Sequence, residues 1–453
     1  MTEQSTHGAP TSLADPRVRT TVVVMFALDF LTAFELFAVT TAMPTMAREL
    51  HGIELYGLAF AAPLTMSIFA LTVGGVWNDR SGPGVPLQVG IVVFSAGLLS
   101  VGFSPNMWVV VAGRSLQGLG TGLVAVSLYV VVGRLFPGEL QPKLFAVLSA
   151  AWVLPGLVGP ALAGFVTATV GWRWIFLAVP VLALAGLFAL RPSVGRLRAA
   201  VDGPRSAVGR KPLWAVGAAA GVFLFSRGGE RADAWWPVEL AVAACIVIVT
   251  VPRLMPAGVW RAVRGIPSVV AMRGLIAAAF GIAEVFIPLL LTDARGFGPA
   301  MAGLALSIGS VAWFCGAWLA GRGKIRVPVR MPVAAAFLTV GIAGALLPVF
   351  QPVPVAVGLV FWAMAGTGMG LAYPTLAVLI LRYSPQSEHG VNSSALQLSE
   401  AIGQSIAFAG TGALFAAILA MSPRLGFIAA FAVAVVIGIA ALAVSRRTVV
   451  GDV

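Results

Sequence analysis

Five side chains that are charged at neutral pH stand inside long apolar runs of this chain: Asp29, Glu35, Arg114, Glu284 and Glu400. An ionisable group in hydrocarbon is costly, so such residues default to functional roles in ion pathways, proton relays or ligand neutralisation. Glu35 and Arg114 are opposite in charge and lie at similar distances from one end of their runs. At ~1.5 Å per residue, on antiparallel helices, their depths agree to within roughly 5 Å, close enough to pair if the helices touch. Asp29 is six residues before Glu35, so about 9 Å deeper and on a different face. It has no cationic neighbour in sequence.

A low dielectric favours the neutral form of a carboxyl group, and a nearby arginine favours its charged form. Asp29 is therefore the acid expected to exchange protons, and Glu35 with Arg114 the pair expected to stay charged and couple helices. Glu284, near the middle of its run, is a second candidate proton or cation site. Glu400 lies close to Gln397 and Gln404. With Gln117, one turn after Arg114, Glu400 and Gln404 are candidate cavity residues, as are the aromatics Phe34, Trp152 and Phe361. The competing reading is structural: a hydrogen-bonded Asp29, a packing pair at Glu35 and Arg114, and polar helix contacts at Glu400.

The elements that position these residues follow from composition. Of 453 residues, 59% are hydrophobic and 10% charged, against roughly 25% charged in soluble domains. The mean hydropathy is +0.96. The lipid bilayer is the expected environment. The net charge of +12 is not paired with stacking aromatics, so no nucleic-acid partner is expected. Cys245 and Cys315 lie in apolar runs and are expected as free, buried thiols. His7, His51 and His389 fall in predicted loops or tails without metal-ligand spacing. No Walker loop or catalytic triad is present, so neither ATP, a metal, another cofactor nor enzyme chemistry is expected. The polar start, Met1 to Pro16, has no signal-peptide pattern.

The apolar runs predict fourteen spans: 20–45, 57–77, 86–104, 107–133, 144–168, 173–190, 212–226, 234–252, 274–292, 302–321, 331–350, 354–381, 392–420 and 425–444. With the N-terminus inside, 22 Lys and Arg, Arg273 and Arg330 among them, fall on the cytoplasmic side and 6 outside, as the positive-inside rule requires. Both termini are then cytoplasmic: a tail at 1–19 and another at 446–453. Span 212–226 is short for a bilayer. The segments flanking 212–252 are both basic, however, so an even number of crossings lies between them. Residues 20–190 and 274–445 form two six-helix bundles, and 191–273 holds the basic segments around two additional helices. Twelve spans with this hairpin on the inner leaflet is the alternative. Gly75-Val76-Trp77 before Asp79-Arg80, and Gly316-Ala317-Trp318 before Arg322, echo each other at the cytoplasmic end of the second helix of each half.

Several stretches carry a family resemblance. FELFAVTTAMP (Phe34–Pro44), GVWNDRSG (Gly75–Gly82), RSLQGLGTG (Arg114–Gly122), PGLVGPALAG (Pro155–Gly164) and WRWIF (Trp172–Phe176) resemble, in order and spacing, the motifs of major facilitator superfamily transporters. The branch resembled is that of drug:proton antiporters with fourteen spans. The resemblance implies an all-α polytopic membrane protein of two pseudo-symmetric six-helix bundles plus an inserted hairpin. It implies gating by Gly75, Asp79, Arg80 and Gly82, and by Pro155, Gly156, Gly159, Pro160 and Gly164 of the antiporter motif. Pro83 and Gly84 stand where the loop signature normally carries two basic residues.

The function expected is proton-coupled efflux of a lipophilic, cationic or natural-product substrate by alternating access. The chain is expected to act as a monomer in a bacterial plasma membrane. A carrier of membrane lipid or a lipid-like metabolite is the alternative; a nutrient symporter fits the sparse polar lining less well.

Overall fold

The computed structural model describes residues 10–198, 211–230, 236–297, 299–419 and 422–450. Arg205, Arg210, Arg231 and His7 lie outside the described residues. Fourteen α-helices carry nearly all of the described chain, and no strand occurs among these residues. They are α1 (Pro16–Glu49), α2 (Tyr56–Ser81), α3 (Gly84–Gly102), α4 (Met107–Leu135), α5 (Gln141–Thr169), α6 (Arg173–Arg198) and α7 (Lys211–Glu230). Then follow α8 (Trp236–Leu254), α9 (Ile266–Asp293), α10 (Pro299–Gly321), α11 (Val327–Ala345), α12 (Val355–Tyr383), α13 (His389–Leu419) and α14 (Pro423–Ser445). A helix closes its backbone hydrogen bonds within itself, which is why apolar runs of this length adopt it in hydrocarbon. Among the described residues, ten helices are long and apolar enough to cross a membrane.

The two halves repeat one packing pattern. In α1–α6 the contacting pairs include α1–α5, α1–α6, α2–α4, α3–α4 and α3–α6. In α9–α14 they include α9–α13, α9–α14, α10–α12, α11–α12 and α11–α14. Each pair recurs eight helices later because α7 and α8 are inserted between the halves. Close approach within a half depends on bare backbone. A Cβ at Gly118 of α4 would meet the Pro63 carbonyl oxygen of α2 at 2.1 Å, and one at Gly370 of α12 the Trp313 carbonyl oxygen of α10 at 2.0 Å.

The end of the bundle that holds the start of α1 and the end of α14 is called the inner end here. Between halves, α2 meets α13 and α5 meets α10. The inserted hairpin lies on the first of these seams. Ala215, Ala218, Ala219 and Val222 of α7 and Val247 and Val251 of α8 form one buried apolar cluster with Ile68 of α2 and Leu398 and Ile402 of α13.

Several expectations are corrected. Arg273 is not a loop residue: α9 begins at Ile266, and Arg273 is 2% exposed within it. A charge at the edge of an apolar run reads as a boundary, although the helix continues through it. Arg330 likewise is buried inside α11. His389 opens α13 and is buried, with its Nε2 3.2 Å from the Ser384 carbonyl oxygen. Cys245 and Cys315 are free but exposed, since an apolar run does not distinguish a lipid-facing side from a packed one.

Candidate functional site

The structure brings Glu35 and Arg114 together. Glu35 on α1 and Arg114 on α4 form a buried ion pair, 5% and 3% exposed. Arg114 Nη1 also donates to Gln117 Oε1 at 2.7 Å, and its Nε to the Ala59 carbonyl oxygen of α2 at 3.2 Å. One guanidinium thus ties α1, α2 and α4. Gln117 is buried, and its Nε2 has no partner among the described residues.

A second charged cluster lies in the other half, nearer the inner end. Arg273 of α9 donates from Nε to Glu400 of α13 at 2.9 Å and from Nη1 to the Tyr373 carbonyl oxygen of α12 at 3.2 Å. The Tyr373 hydroxyl donates to the other Glu400 oxygen, and the guanidinium stacks 3.0 Å from the centre of the Tyr373 ring. Arg273 Nη2 then crosses between the halves to the Tyr129 hydroxyl of α4 at 3.3 Å. Sequence reading missed Arg273, Tyr373 and Tyr129. Two tyrosines and an arginine at one membrane depth were the available signal, but Tyr373 and Tyr129 lie 100 and 144 residues from Arg273 in sequence.

Asp29 is half-buried on α1. Among the described residues it has no hydrogen bond or ion pair. Glu284 is exposed on α9. Gln404 of α13 approaches α9 at Gly281, one turn before Glu284.

The other aromatic candidates separate. Phe34 stacks on Phe30 with ring centres 6.5 Å apart and lies against Gly159 of α5. Trp152 is 43% exposed. Phe361 packs over Gly344 of α11, so it serves the α11–α12 contact and not the cavity. In the Gly-rich stretch of α5, Gly156 and Gly159 receive Phe37 and Phe34 of α1, Gly164 lies near Thr41, and Pro155 is buried. Pro160 lies in the same helix, and its side chain is outside the described residues.

The inner end is shut. Asp79 at the end of α2 accepts from the Gly390 and Val391 N–H groups at 2.6 and 2.9 Å. These are first-turn donors of α13 without helical partners, where an anion is favoured. Above them Gly75 and Gly390 touch backbone to backbone. A Cβ at Gly75 would meet the Gly390 carbonyl oxygen at 2.9 Å, and one at Gly390 the Gly75 oxygen at 2.2 Å. Ser394 Oγ donates to the Leu71 carbonyl oxygen at 2.6 Å. Arg80 lies in the last turn of α2, and Gly82 caps the helix with φ 73°, a conformation side chains disfavour. With Arg273–Tyr129, these cross-half bonds all lie toward the inner end. At that outer end Glu49 closes α1 onto α6 through Trp172 Nε1, 2.7 Å away, and Arg173.

Comparison with known proteins agrees with this architecture. A multidrug transporter protein, MdtP, of Bacillus subtilis (strain 168) is 24% identical over 85% of this chain and 73% of its own length. A probable multidrug-efflux transporter of Mycobacterium tuberculosis (strain ATCC 25618 / H37Rv) is 26% identical over 76% of each chain. Among solved structures, the human organic anion transporter MFSD10 (TETRAN) superposes with a TM-score of 0.70 at 13% identity, covering 95% of this chain and 99% of its own. A bacterial homologue of the iron transporter ferroportin, in an outward-facing state, superposes with a TM-score of 0.66 at 15% identity over 93% of this chain and 98% of its own. The family model of the Major Facilitator Superfamily matches residues 25–408. The chain is a polytopic membrane transporter, not an enzyme, and belongs to the Major Facilitator Superfamily.

Proposed function

We propose that this transporter is a proton-coupled exporter of lipophilic, cationic compounds, with fourteen membrane spans. The observation that carries the reading is Asp29: a carboxyl group without an ion-pair partner among the described residues, on a spanning helix of a molecule whose halves are bonded at the inner end. In the outward-open arrangement Arg273 is held by Glu400 and Tyr129, which leaves Asp29 free to exchange a proton with the outer solution. When the inner end opens, the halves part, Tyr129 leaves Arg273, and the surroundings of Asp29 change. Substrate and proton then compete for the cavity acids Asp29 and Glu284, which couples export of one to import of the other. The Glu35–Arg114 pair keeps α1 registered against α2 and α4 in both states.

The multidrug names of two relatives support export of lipophilic compounds, and the Gly-rich face of α5 against α1 supports antiport. Fourteen spans are supported by α7 and α8, of 20 and 19 residues. At ~1.5 Å per residue each is about as long as the hydrocarbon core is thick. The basic residues at the inner end support a cytoplasmic position for both termini, in a plasma membrane. The test is proton movement in proteoliposomes on adding tetraphenylphosphonium, ethidium and related lipophilic cations. Release of protons by at least one compound is expected. Transport of none, with movement of a labelled phospholipid instead, would replace this reading by the lipid-carrier one.

A further inference from the structure

His389 opens α13 in the second half, yet its imidazole lies on α4 of the first. A Cβ at Gly133 of α4 would meet His389 Nδ1 at 2.5 Å, so the ring packs on bare backbone across the halves. The next two residues, Gly390 and Val391, give their N–H groups to Asp79 of α2. One short stretch of α13 thus closes on both α2 and α4. The ring is held there in a single protonation state. Its Nε2 lies 3.2 Å from the Ser384 carbonyl oxygen; a carbonyl only accepts, so Nε2 carries the proton and Nδ1 of the neutral ring is bare. Nδ1 is buried and has no partner among the described residues. Three charged groups surround the ring. Arg134 follows Gly133 on α4, with its Nη2 3.5 Å from the Asn78 carbonyl oxygen and its Nε and Nη1 buried without partners among the described residues. Asp79 faces it from α2, and the exposed Glu388 precedes it in the chain. His389 stands before the apolar run 392–420. Burial holds its imidazole below the ordinary value of 6.5, outweighing the Ser384 and Leu381 carbonyls, and the charge of Arg134 acts in the same direction as burial.

We propose that His389 makes the inner closure sensitive to the pH of the inner solution, its protonation at Nδ1 parting α13 from α4 and favouring the inner-open arrangement. In the closed arrangement a proton on Nδ1 would face the Gly133 backbone, out of water and beside Arg134. When the halves part, the ring leaves Gly133, reaches the inner solution and takes the proton from it. A group that binds its proton less well in the closed arrangement favours the open one in acid. Above the ordinary value of 6.5 the ring is neutral in both arrangements and closure is at full strength. As the pH falls below 6.5 the open arrangement takes the proton first, and closure weakens until the closed arrangement is protonated too. A gap of about one unit between the two values changes the ratio of open to closed about tenfold. This device needs neither a substrate nor Asp29.

Two measurements test it without transport. In the first, spin labels are attached at Gly138→Cys and Gln386→Cys, exposed sites on inner-end links of the two halves, in protein carrying Cys245→Ser and Cys315→Ser. Between about pH 8 and about pH 5 the ratio of inner-open to inner-closed molecules is expected to rise about tenfold. His389→Gln, whose amide can still donate to the Ser384 carbonyl but cannot take a charge, is expected to lose that rise and stay closed. Asp79, Arg134 and Glu388 are the same in both proteins, so their own titration cancels in the comparison. A rise in His389→Gln equal to that of the parent overturns the proposal. The second measurement keeps His389 itself. The chain has three histidines, and His7→Gln with His51→Gln leaves His389 as the single signal in nitrogen NMR of labelled histidine. Its titration is compared with that in the same protein carrying Gly75→Ala, which sets a methyl group against the Gly390 carbonyl oxygen from the α2 side. A midpoint about one unit lower without Gly75→Ala is expected, and equal midpoints overturn the proposal.

Discussion

Arg273 of α9 reaches the Tyr129 hydroxyl of α4 at 3.3 Å while its Nε is held by Glu400. A single guanidinium therefore reports whether the halves are together at the inner end. Tyr129→Phe removes the cross-half bond and leaves the Arg273–Glu400 pair intact. Such a bond contributes about 1 kcal/mol, so the population of inner-open molecules should rise about fivefold. Spin-label distances across the inner end would show it; an unchanged distribution would assign the contact no part in closure.

Closure should also fail where the backbones touch. Gly390→Ala puts a methyl group 2.2 Å from the Gly75 oxygen. Neither backbone can yield without parting α2 from α13, at a cost of about 1–3 kcal/mol. Inner-end cysteines in this variant should become reactive to impermeant reagents from the inner side, with expression unchanged.

Removing either member of the buried Glu35–Arg114 pair should have unequal effects. Glu35→Gln leaves Arg114 with Gln117 and the Ala59 carbonyl. Arg114→Gln leaves Glu35 without another partner among the described residues, but the carboxyl can take up a proton and lose its charge, whereas Arg114 in Glu35→Gln stays an uncompensated buried charge at about 3–5 kcal/mol. Thermal unfolding in detergent should rank Glu35→Gln as the more damaging, with partial recovery in the double variant.

The start of α1 should loosen in acid. Asp15 caps the helix, accepting from the Arg17 N–H at 3.0 Å. That bond and the Arg17 side chain hold its carboxyl below the ordinary value of 3.8. A depressed folded value means the capping stabilisation is complete above the unfolded value and is lost as pH falls through the folded one. Hydrogen exchange at Val18 and Arg19 should rise only below that value, and Asp15→Ala should exchange faster at every pH.

Much of this architecture was legible. Apolar runs gave the fourteen helices in order, and depth arithmetic on antiparallel helices anticipated that Glu35 and Arg114 could meet. Ends were less legible: α1 extends four residues before the predicted start, because Asp15 and Pro16 cap a turn that the apolar pattern does not include. Arg273 was hidden by its own charge, which reads as a loop until Glu400, 127 residues away, supplies a partner. His389 likewise reads as a loop residue, and only the Gly133 surface of α4 beneath it explains its burial. Nor does Phe361 betray in sequence which neighbouring helix it faces.

The central claim is that Asp29 couples substrate to protons. Its most direct test compares two assays of Asp29→Asn in proteoliposomes over the same panel of lipophilic cations. One is accumulation driven by a pH gradient; the other is exchange of labelled for unlabelled compound without a gradient. The account predicts that the wild type performs both, and that Asp29→Asn keeps exchange and loses accumulation. Gradient-driven accumulation that survives in Asp29→Asn would contradict it.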